Sequence, residues 1–172
     1  MNFPSETEHP RIGVGVIILK GKKVLLGLRK GHRSPGYYGL PGGYLEKNEN
    51  FEDCAKREVL EETGLEDLSL RPIYFIGGSN DNIHYADIIF YANYKDGEPI
   101  VKEIDRAEKW EWFNIFDLPS PLYGPTELAL KHFVLNYCFH KINLFSQKWI
   151  PGKRGIILYF DDVKSKGYKS HK

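Results

Sequence analysis

The sequence has little cysteine and no long apolar run. Only two of its 172 residues are cysteines, Cys54 and Cys138, so a disulfide framework is excluded, and we interpret both as small buried hydrophobic residues. No Cys or His pair has the spacing of zinc ligands. No segment approaches the roughly 20 apolar residues of a membrane span, and the polar start MNFPSETEHPRIG lacks the apolar stretch of a signal peptide. These absences favour a cytoplasmic protein that has no membrane contact.

Two common phosphate-binding motifs are also absent. Gly13–Gly15 is followed by the apolar Val16–Ile18, so the third glycine and the helix start of a dinucleotide-binding fingerprint are missing. Four residues separate Gly31 from Gly36, but Tyr37–Tyr38 follows where a P-loop needs Lys and then Ser or Thr. Any phosphate chemistry must therefore depend on other residues.

Charge is nearly balanced overall but is distributed unevenly along the chain. The net charge is +1, whereas residues 141–172 hold eight Lys or Arg against Asp161 and Asp162, which makes this segment +6 and the first 140 residues near −5. A basic tail of this kind can attract a polyanion such as RNA, and the alternative is a solvated, partly disordered C-terminus. Because the tail lacks interleaved aromatic residues for base stacking, we do not expect nucleic-acid binding, and RNA contact remains the alternative.

Local patterns predict an α/β protein. A chain of 172 residues that is 41% hydrophobic can bury one sizeable core and fits one domain. Alternation and turn residues predict strands over 12–19, 23–28, 70–76, 84–94 and 109–113, with residues 37–40 leading into a turn at 41–43. Helical spacing predicts a helix over 126–139. Strands interspersed with helices indicate a mixed sheet that has helices on both sides.

The most informative segment is GYLEKNENFEDCAKREVLEETGL, residues 43–65. Asn50 is a typical N-cap residue and Gly64 a typical stop, so a helix is predicted over 51–63. One face of this helix carries first apolar residues and then three carboxylates: Phe51, Cys54, Ala55, Glu58, Glu61 and Glu62. Carboxylates that face inward repel each other, so a cation should offset them. An all-oxygen ligand set suits Mg²⁺ or Mn²⁺, and the alternative is a Glu-rich surface helix paired with Lys56 and Arg57.

The same segment matches the pattern G-x5-E-x7-R-E-(apolar)-x-E-E-x-G-(apolar) at every specified position: Gly43, Glu49, Arg57, Glu58, Val59, Glu61, Glu62, Gly64 and Leu65. This pattern is identified as the Nudix box, and the chain resembles the MutT-like Nudix pyrophosphohydrolases over about residues 11–120. The resemblance implies the Nudix fold, an α/β/α sandwich with a mixed sheet. We therefore divide the chain into an N-terminal tail (1–10), a Nudix hydrolase domain (11–145) and a basic C-terminal extension packed on or trailing the domain (146–172).

The resemblance also implies roles for individual residues. Glu58 and Glu62 would ligate a metal ion, Glu61 would be a further ligand or contact a metal-bound water, and the Gly42 carbonyl would complete the set. Arg57 and Glu49 would form a charge pair that holds the loop against the helix. The metal would be Mg²⁺, with Mn²⁺ as a possible substitute. The general base is open between Glu61 and three distal acids, Glu103, Glu108 and Glu111, of which Glu108 is the one to test first.

Substrate recognition must come largely from outside the box, because the box contacts only metal and phosphate. Lys30 and Arg33 are candidates for phosphate contacts, and a side chain at Gly43 would block close approach of the backbone. Candidate base-contacting residues are aromatic or polar: Tyr37, Tyr44, Tyr85, Trp110 and Trp112 for stacking, and Asn80, Asp81, Asn82 and His84 for polar contacts. Each of the aromatic residues could equally belong to the core.

Three functions remain open at this point. The first is hydrolysis of a normal or oxidised nucleoside triphosphate to the monophosphate and pyrophosphate, which is what the closest branch of the family implies. The second is hydrolysis of another substrate class, namely nucleotide sugars, ADP-ribose, dinucleotides or capped RNA. The third is a non-hydrolytic Nudix-fold regulator or a diphosphate isomerase. Because relatives are often homodimers, we also expect a homodimer that binds a small nucleotide.

Overall fold

The computed structural model describes residues 10–31, 34–80, 83–138 and 155–159. The elements in chain order are β1 (Arg11–Lys20), β2 (Lys23–Arg29), β3 (Tyr38–Gly39), α1 (Phe51–Thr63), β4 (Arg71–Asn80), β5 (Ile83–Asn93), β6 (Ala107–Asn114), α2 (Gly124–Cys138) and β7 (Gly155–Tyr159). Three substrate-contact candidates, Arg33, Asp81 and Asn82, lie outside the described residues, as do the N-terminal tail through residue 9 and most of the basic C-terminal segment. No helix in the described part of the chain is long and apolar enough to cross a membrane.

The strands form one mixed sheet with a helix on each face. The strand order is β3-β2-β1-β5-β4-β7, and β6 also pairs with β2. β1 runs parallel to β5. β2 is antiparallel to β1, and β4 is antiparallel to β5. Alternate residues of β1 enter different cores: Val16 packs with Val59 of α1, and Ile17 packs with Leu130 of α2. The predicted α/β/α sandwich is therefore confirmed.

β1 and β2 pair only next to the turn that joins them, at Leu19 with Val24 and at Lys20 with Lys23. Beyond this point the two strands diverge, and residues 38–45 fill the gap. β3 pairs with β2, and the carbonyl oxygens of Pro41 and Gly43 then accept hydrogen bonds from the backbone N–H groups of β1, at 2.9 and 2.8 Å. The turn that precedes α1 is thus held to β1 by its backbone.

Helix α1 begins and ends where the sequence predicts. The Asn50 side chain accepts a hydrogen bond from the Asp53 N–H at 2.9 Å, and Gly64 adopts the left-handed conformation (φ 71°) while its N–H bonds to the Leu60 carbonyl. The buried face holds Cys54, Ala55 and Val59, and Glu58 lies on the same face. The apolar half of this face anchors α1 on the sheet and brings its carboxylates to the 42–43 turn.

One strand was not predicted from the sequence. Residues 155–159, GIILY, pair antiparallel with β4 from Gly78 to Tyr74. Five residues with little charge extend the sheet within a segment that is strongly basic as a whole. For these residues the expectation of a partly disordered C-terminus is wrong, because their backbone forms a strand; the average charge of the segment obscured five consecutive uncharged residues.

Candidate active site

The turn at Gly42–Gly43 packs directly against the acidic end of α1. The Gly42 N–H donates to Glu62 Oε2 at 3.0 Å. Gly42 has φ 147°, and a Cβ atom there would lie 2.1 Å from the Val14 carbonyl oxygen. A Cβ on Gly43 would fall within 2.5 Å of the Glu58 carboxylate. Both positions therefore require glycine, since a side chain would collide with β1 or with the acid cluster.

Arg57 links the loop before α1 to the carboxylates of the helix. Its Nε and Nη2 donate to the two oxygens of Glu49, at 2.8 and 3.0 Å, while Nη1 donates to Glu58 Oε1 at 2.8 Å and to Glu61 Oε2 at 3.0 Å. The guanidinium lowers the pKa of Glu49 to about 2. The predicted charge pair is thus present in a two-point geometry, which restricts the orientation of both partners.

Glu58 is the most buried acid of the cluster, with a side chain that is 6% exposed. Arg57 occupies Oε1, but Oε2 is buried and receives no hydrogen bond from any described residue, and Arg106 Nη1 lies 4.0 Å from it. Burial raises the pKa of Glu58 despite the neighbouring Arg57. A buried carboxylate oxygen that lacks a partner is costly, so this atom is suited to a bound cation.

Glu62 is held from two sides. Gly42 contacts its carboxylate, and Trp110 Nε1 donates to its backbone carbonyl at 3.0 Å. Burial raises the pKa of Glu62 to about 8, and the charges of Glu58 and Glu103 act in the same direction. Trp110 was a stacking candidate, but its ring covers Gly27, where a Cβ would lie 2.7 Å from the ring. The indole therefore helps to fix the end of α1 while one side of it lines the cleft.

The donor set around Glu58 Oε2 fits a hard divalent cation, because the described side chains of the cluster that could ligate a metal, those of Glu58, Glu61 and Glu62, all offer carboxylate oxygens. Within the described residues, however, no three His, Cys, Asp or Glu side chains converge on one point as they stand. Arg57 holds Glu58 Oε1 and Glu61 Oε2, and the Glu61 side chain is 49% exposed. Metal binding therefore requires Glu61 to turn away from Arg57, or backbone and water oxygens to complete the coordination.

A cleft of about 690 Å³ opens in front of this cluster, a volume typical of small-molecule sites. The predicted site residues that line it are Lys30, Gly42, Gly43, Tyr44, Arg57, Glu58, Glu61, Glu62 and Trp110. Glu49 contacts Arg57 but does not itself line the cleft. Tyr85, a predicted substrate contact, is half-buried and does not line the cleft; burial raises its pKa, and the Asp87 carboxylate acts in the same direction.

The three distal acids differ in position. Glu108 is exposed and does not line the cleft. Glu111 pairs with Lys109 at 2.8 Å. Glu103 does not line the cleft either, but it is half-buried, its Oε2 lies 3.4 Å from Arg106 Nε, and its charge contributes to the raised pKa of Glu62. Glu103, not Glu108, is thus the distal acid that the fold brings near the cluster.

Several lining residues were not singled out from the sequence. The Arg11 guanidinium lies 5.1 Å from the Tyr44 ring centroid, and the Arg29 guanidinium lies 4.4 Å from that of Tyr123. Asp87 and Arg106 line the cleft as well. None of these residues belongs to a local motif. Only strand alternation could have indicated that Asp87 and Ile89 share one face of the sheet.

Known proteins resemble the chain over the same region. The NUDIX domain family model matches residues 9–135. The ADP-ribose pyrophosphatase of Methanocaldococcus jannaschii is 36% identical over 114 residues, which cover 65% of this chain and 66% of that protein. The NAD-capped RNA hydrolase NudC of Pseudomonas aeruginosa is 35% identical over 125 residues, 71% of this chain but only 43% of NudC. The solved MutT NUDIX hydrolase of Burkholderia pseudomallei has a TM-score of 0.65 at 36% identity and covers 72% of this chain and 98% of its own.

Proposed function

Because the chain belongs to the Nudix hydrolase family, we propose that it hydrolyses a phosphoanhydride bond in a nucleoside diphosphate joined to a second group, as in ADP-ribose. The reaction type is carried by one observation, the buried Glu58 Oε2 that faces no donor among the described residues beside the Gly42–Gly43 turn. The substrate class is supported by the names of two relatives, an ADP-ribose pyrophosphatase and an NAD-capped RNA hydrolase. The nucleoside-triphosphate alternative has less support, from the MutT name of one structural relative.

Nudix hydrolases generally use divalent metal ions, and Mg²⁺ is the ion we propose here. Glu58, Glu62 and the Gly42 carbonyl would hold it, with Glu61 as a further ligand. A bound Mg²⁺ supplies charge neutralisation at the phosphate oxygens and favours attack by water on phosphorus. Arg57 keeps Glu58 in position through a contact of 2.8 Å, and Glu49 in turn orients Arg57.

Cationic residues that line the cleft would orient the diphosphate. Lys30 and Arg106 both line the cleft, and the Lys30 N–H bonds to the Arg106 carbonyl at 2.7 Å, which keeps the two side chains on adjacent backbone. Arg29 lines the cleft as well. Guanidinium and ammonium groups at this position offset the charge of phosphates close to an acidic helix. Glu103 or Glu61 would accept the proton of the attacking water.

The test is a substrate panel incubated with Mg²⁺: ADP-ribose, NADH, a nucleotide sugar, ATP and GTP, with products separated by chromatography. We expect AMP and ribose 5-phosphate from ADP-ribose as the fastest reaction. Pyrophosphate released fastest from a triphosphate would overturn the substrate class. Turnover of no compound, or undiminished turnover by Glu62→Gln, would overturn the mechanism. Glu66→Gln, an exposed acid just after α1, is the matched control and should retain activity.

Capped RNA is the second candidate substrate, because the basic segment 141–172 could hold the RNA body while the cap enters the cleft. Turnover of an NAD-capped RNA that weakens steeply with salt would support it, and no turnover of an NAD-capped RNA would oppose it. A cytoplasmic location and a homodimer are part of the same proposal. Sedimentation equilibrium that returns the monomer mass of 19.9 kDa would overturn the homodimer.

A further inference from the structure

Asp87 on β5 is a carboxylate in the same cleft that the proposed reaction does not use. Strand alternation directs it to the α2 face of the sheet together with Ile89, which belongs to the core on that side. No described residue donates a hydrogen bond to this carboxylate or forms an ion pair with it. Burial alone raises the pKa of Asp87 to about 6, so the group is charged at neutral pH and lacks a partner within the described structure.

Glycine at position 13 lets the Asp87 carboxylate pack closely against the backbone of β1. A Cβ on Gly13 would lie 2.7 Å from Asp87 Oδ1 and 3.5 Å from Cδ1 of the Tyr44 ring. Further along β1, a Cβ on Gly15 would lie 3.0 Å from Ile89 Cδ1. Gly15, Tyr44, Asp87 and Ile89 all line the cleft, so this part of it has the Tyr44 ring and Ile89 as apolar walls and the Asp87 carboxylate as a polar end. We call the region formed by these four residues the Asp87 subsite.

We propose that the Asp87 subsite binds the nucleobase of the substrate, and that the Asp87 carboxylate accepts a hydrogen bond from an exocyclic amino group. The proposal rests on the proposed function, which supplies a nucleotide. A nucleobase has flat apolar faces and a polar edge, which match an aromatic wall and a polar end. An ionised carboxylate only accepts hydrogen bonds, so it favours a base edge that carries an amino group over one that carries a carbonyl oxygen.

Other parts of the substrate fit this subsite less well. A phosphate would meet the Asp87 carboxylate as a like charge, and cations for phosphate lie instead at Lys30 and Arg106. A ribose hydroxyl could donate to the carboxylate, but a sugar would not use the flat face of Tyr44 as fully as a base does. Tyr44 directly follows Gly43, which packs against the Glu58 carboxylate. A base on the Tyr44 ring would therefore lie next to the phosphate site.

The direct test compares two substrates of the wild-type protein. One is ADP-ribose, and the other is its counterpart in which purine, lacking the 6-amino group, replaces adenine. We expect kcat/KM to be at least about tenfold higher for ADP-ribose, because the counterpart leaves the carboxylate unpaired. In Asp87→Val, which removes the acceptor, the ratio should fall to within about twofold. A third substrate, 2′-deoxy-ADP-ribose, should behave like ADP-ribose in both proteins.

Controls separate this contact from general effects on the cleft. Asp105→Asn removes an exposed acid that lines the same cleft and should leave the ratio at the wild-type value. If Asp87→Val fails to fold by circular dichroism, Asp87→Asn takes its place and should lower the ratio to about threefold, since its amide oxygen still accepts.

Three results would overturn the assignment: a wild-type ratio below about twofold, an unchanged ratio in a folded Asp87→Val protein, or a loss that follows the 2′-hydroxyl. Failure of the proposed function looks different, since neither ADP-ribose nor any other panel compound would be hydrolysed. In that case the affinities for AMP and for purine riboside 5′-monophosphate, both measured by calorimetry, decide the Asp87 assignment independently of hydrolysis. Equal affinity for the two, or no binding of either, would reject it.

Discussion

The two ends of the cleft are built in different ways. At the reaction end, the glycine turn, the charge pair and the acid cluster all fall within residues 42–62, and they contact one another through Arg57 and Gly42. At the other end, Arg11, Asp87 and Tyr123 come from β1, β5 and the residue before α2. Only the divergence of β1 from β2, and the entry of residues 38–45 into the gap, brings them to one cleft.

Under the proposed function, the reaction end carries out the chemistry and the other end selects the substrate. The groups at the reaction end would contact the metal ion and the phosphates, and every candidate substrate contains a phosphoanhydride. The distant end holds one carboxylate, aromatic rings and arginines, which can distinguish one substrate from another. Variants at the reaction end should therefore lower kcat for all substrates, whereas variants at the other end should change KM and the ranking of substrates.

The largest effect is expected for Glu58→Gln. Removing the charge from the buried carboxylate should lower kcat/KM by about 10³-fold or more for every substrate, on the scale of losing a key electrostatic contact. The fold should persist, because Oε2 makes no hydrogen bond within the described structure. Steady-state kinetics on ADP-ribose and ATP measure it. A loss confined to one substrate would break the distinction between the two ends.

A smaller loss, about 10- to 100-fold in kcat, is expected for Arg57→Lys. A lysine cannot reproduce the two-point contact with Glu49 or reach Glu58 and Glu61 at the same time. Metal affinity measured by calorimetry should fall together with kcat. Lys56→Arg on the neighbouring exposed position is the control and should behave as wild type. An unchanged metal affinity in Arg57→Lys would mean that the arginine does not position the ligands.

At the other end, Tyr44→Leu should raise KM for adenine nucleotides about tenfold with little change in kcat, on the scale of losing one base-stacking contact. Tyr37 offers a matched control, because both tyrosines are 41% exposed but only Tyr44 lines the cleft. Tyr37→Leu should leave KM within about twofold. Equal effects of the two substitutions would show that Tyr44 does not contact the base in the cleft.

The two ends also differ in how far the sequence predicts them. The caps of α1, its inward carboxylates and the Arg57–Glu49 pair follow from local spacing, because every partner lies within a few turns of one helix. The Arg11–Tyr44 and Arg29–Tyr123 contacts join residues that are 33 and 94 positions apart, and no local pattern encodes them. Strand β7 was missed for a related reason: its residues pair with residues of β4 that lie 77 to 85 positions earlier in the chain.

The smallest effect concerns stability, and it distinguishes the two ends by pH. Glu62 has a folded-state pKa of about 8 against an ordinary 4.5, and Asp87 one of about 6 against 3.8. A raised pKa means that the folded state binds the proton more tightly than the unfolded state does. Each acid therefore lowers stability as pH rises from its ordinary pKa to its folded pKa, and the penalty stays constant at higher pH.

The metal-free protein should accordingly lose several degrees of Tm between about pH 4 and pH 8, in two overlapping windows. Glu62→Gln should flatten the upper window, between pH 6 and 8, where Asp87 is already ionised in both states. Asp87→Asn should flatten only the part below about pH 6. Added Mg²⁺ should abolish the Glu62 window by stabilising the charged carboxylate, and it should leave the Asp87 window in place. If Mg²⁺ removed both windows, the carboxylate of Asp87 would belong to the metal site, and the separation of the cleft into two ends would be wrong.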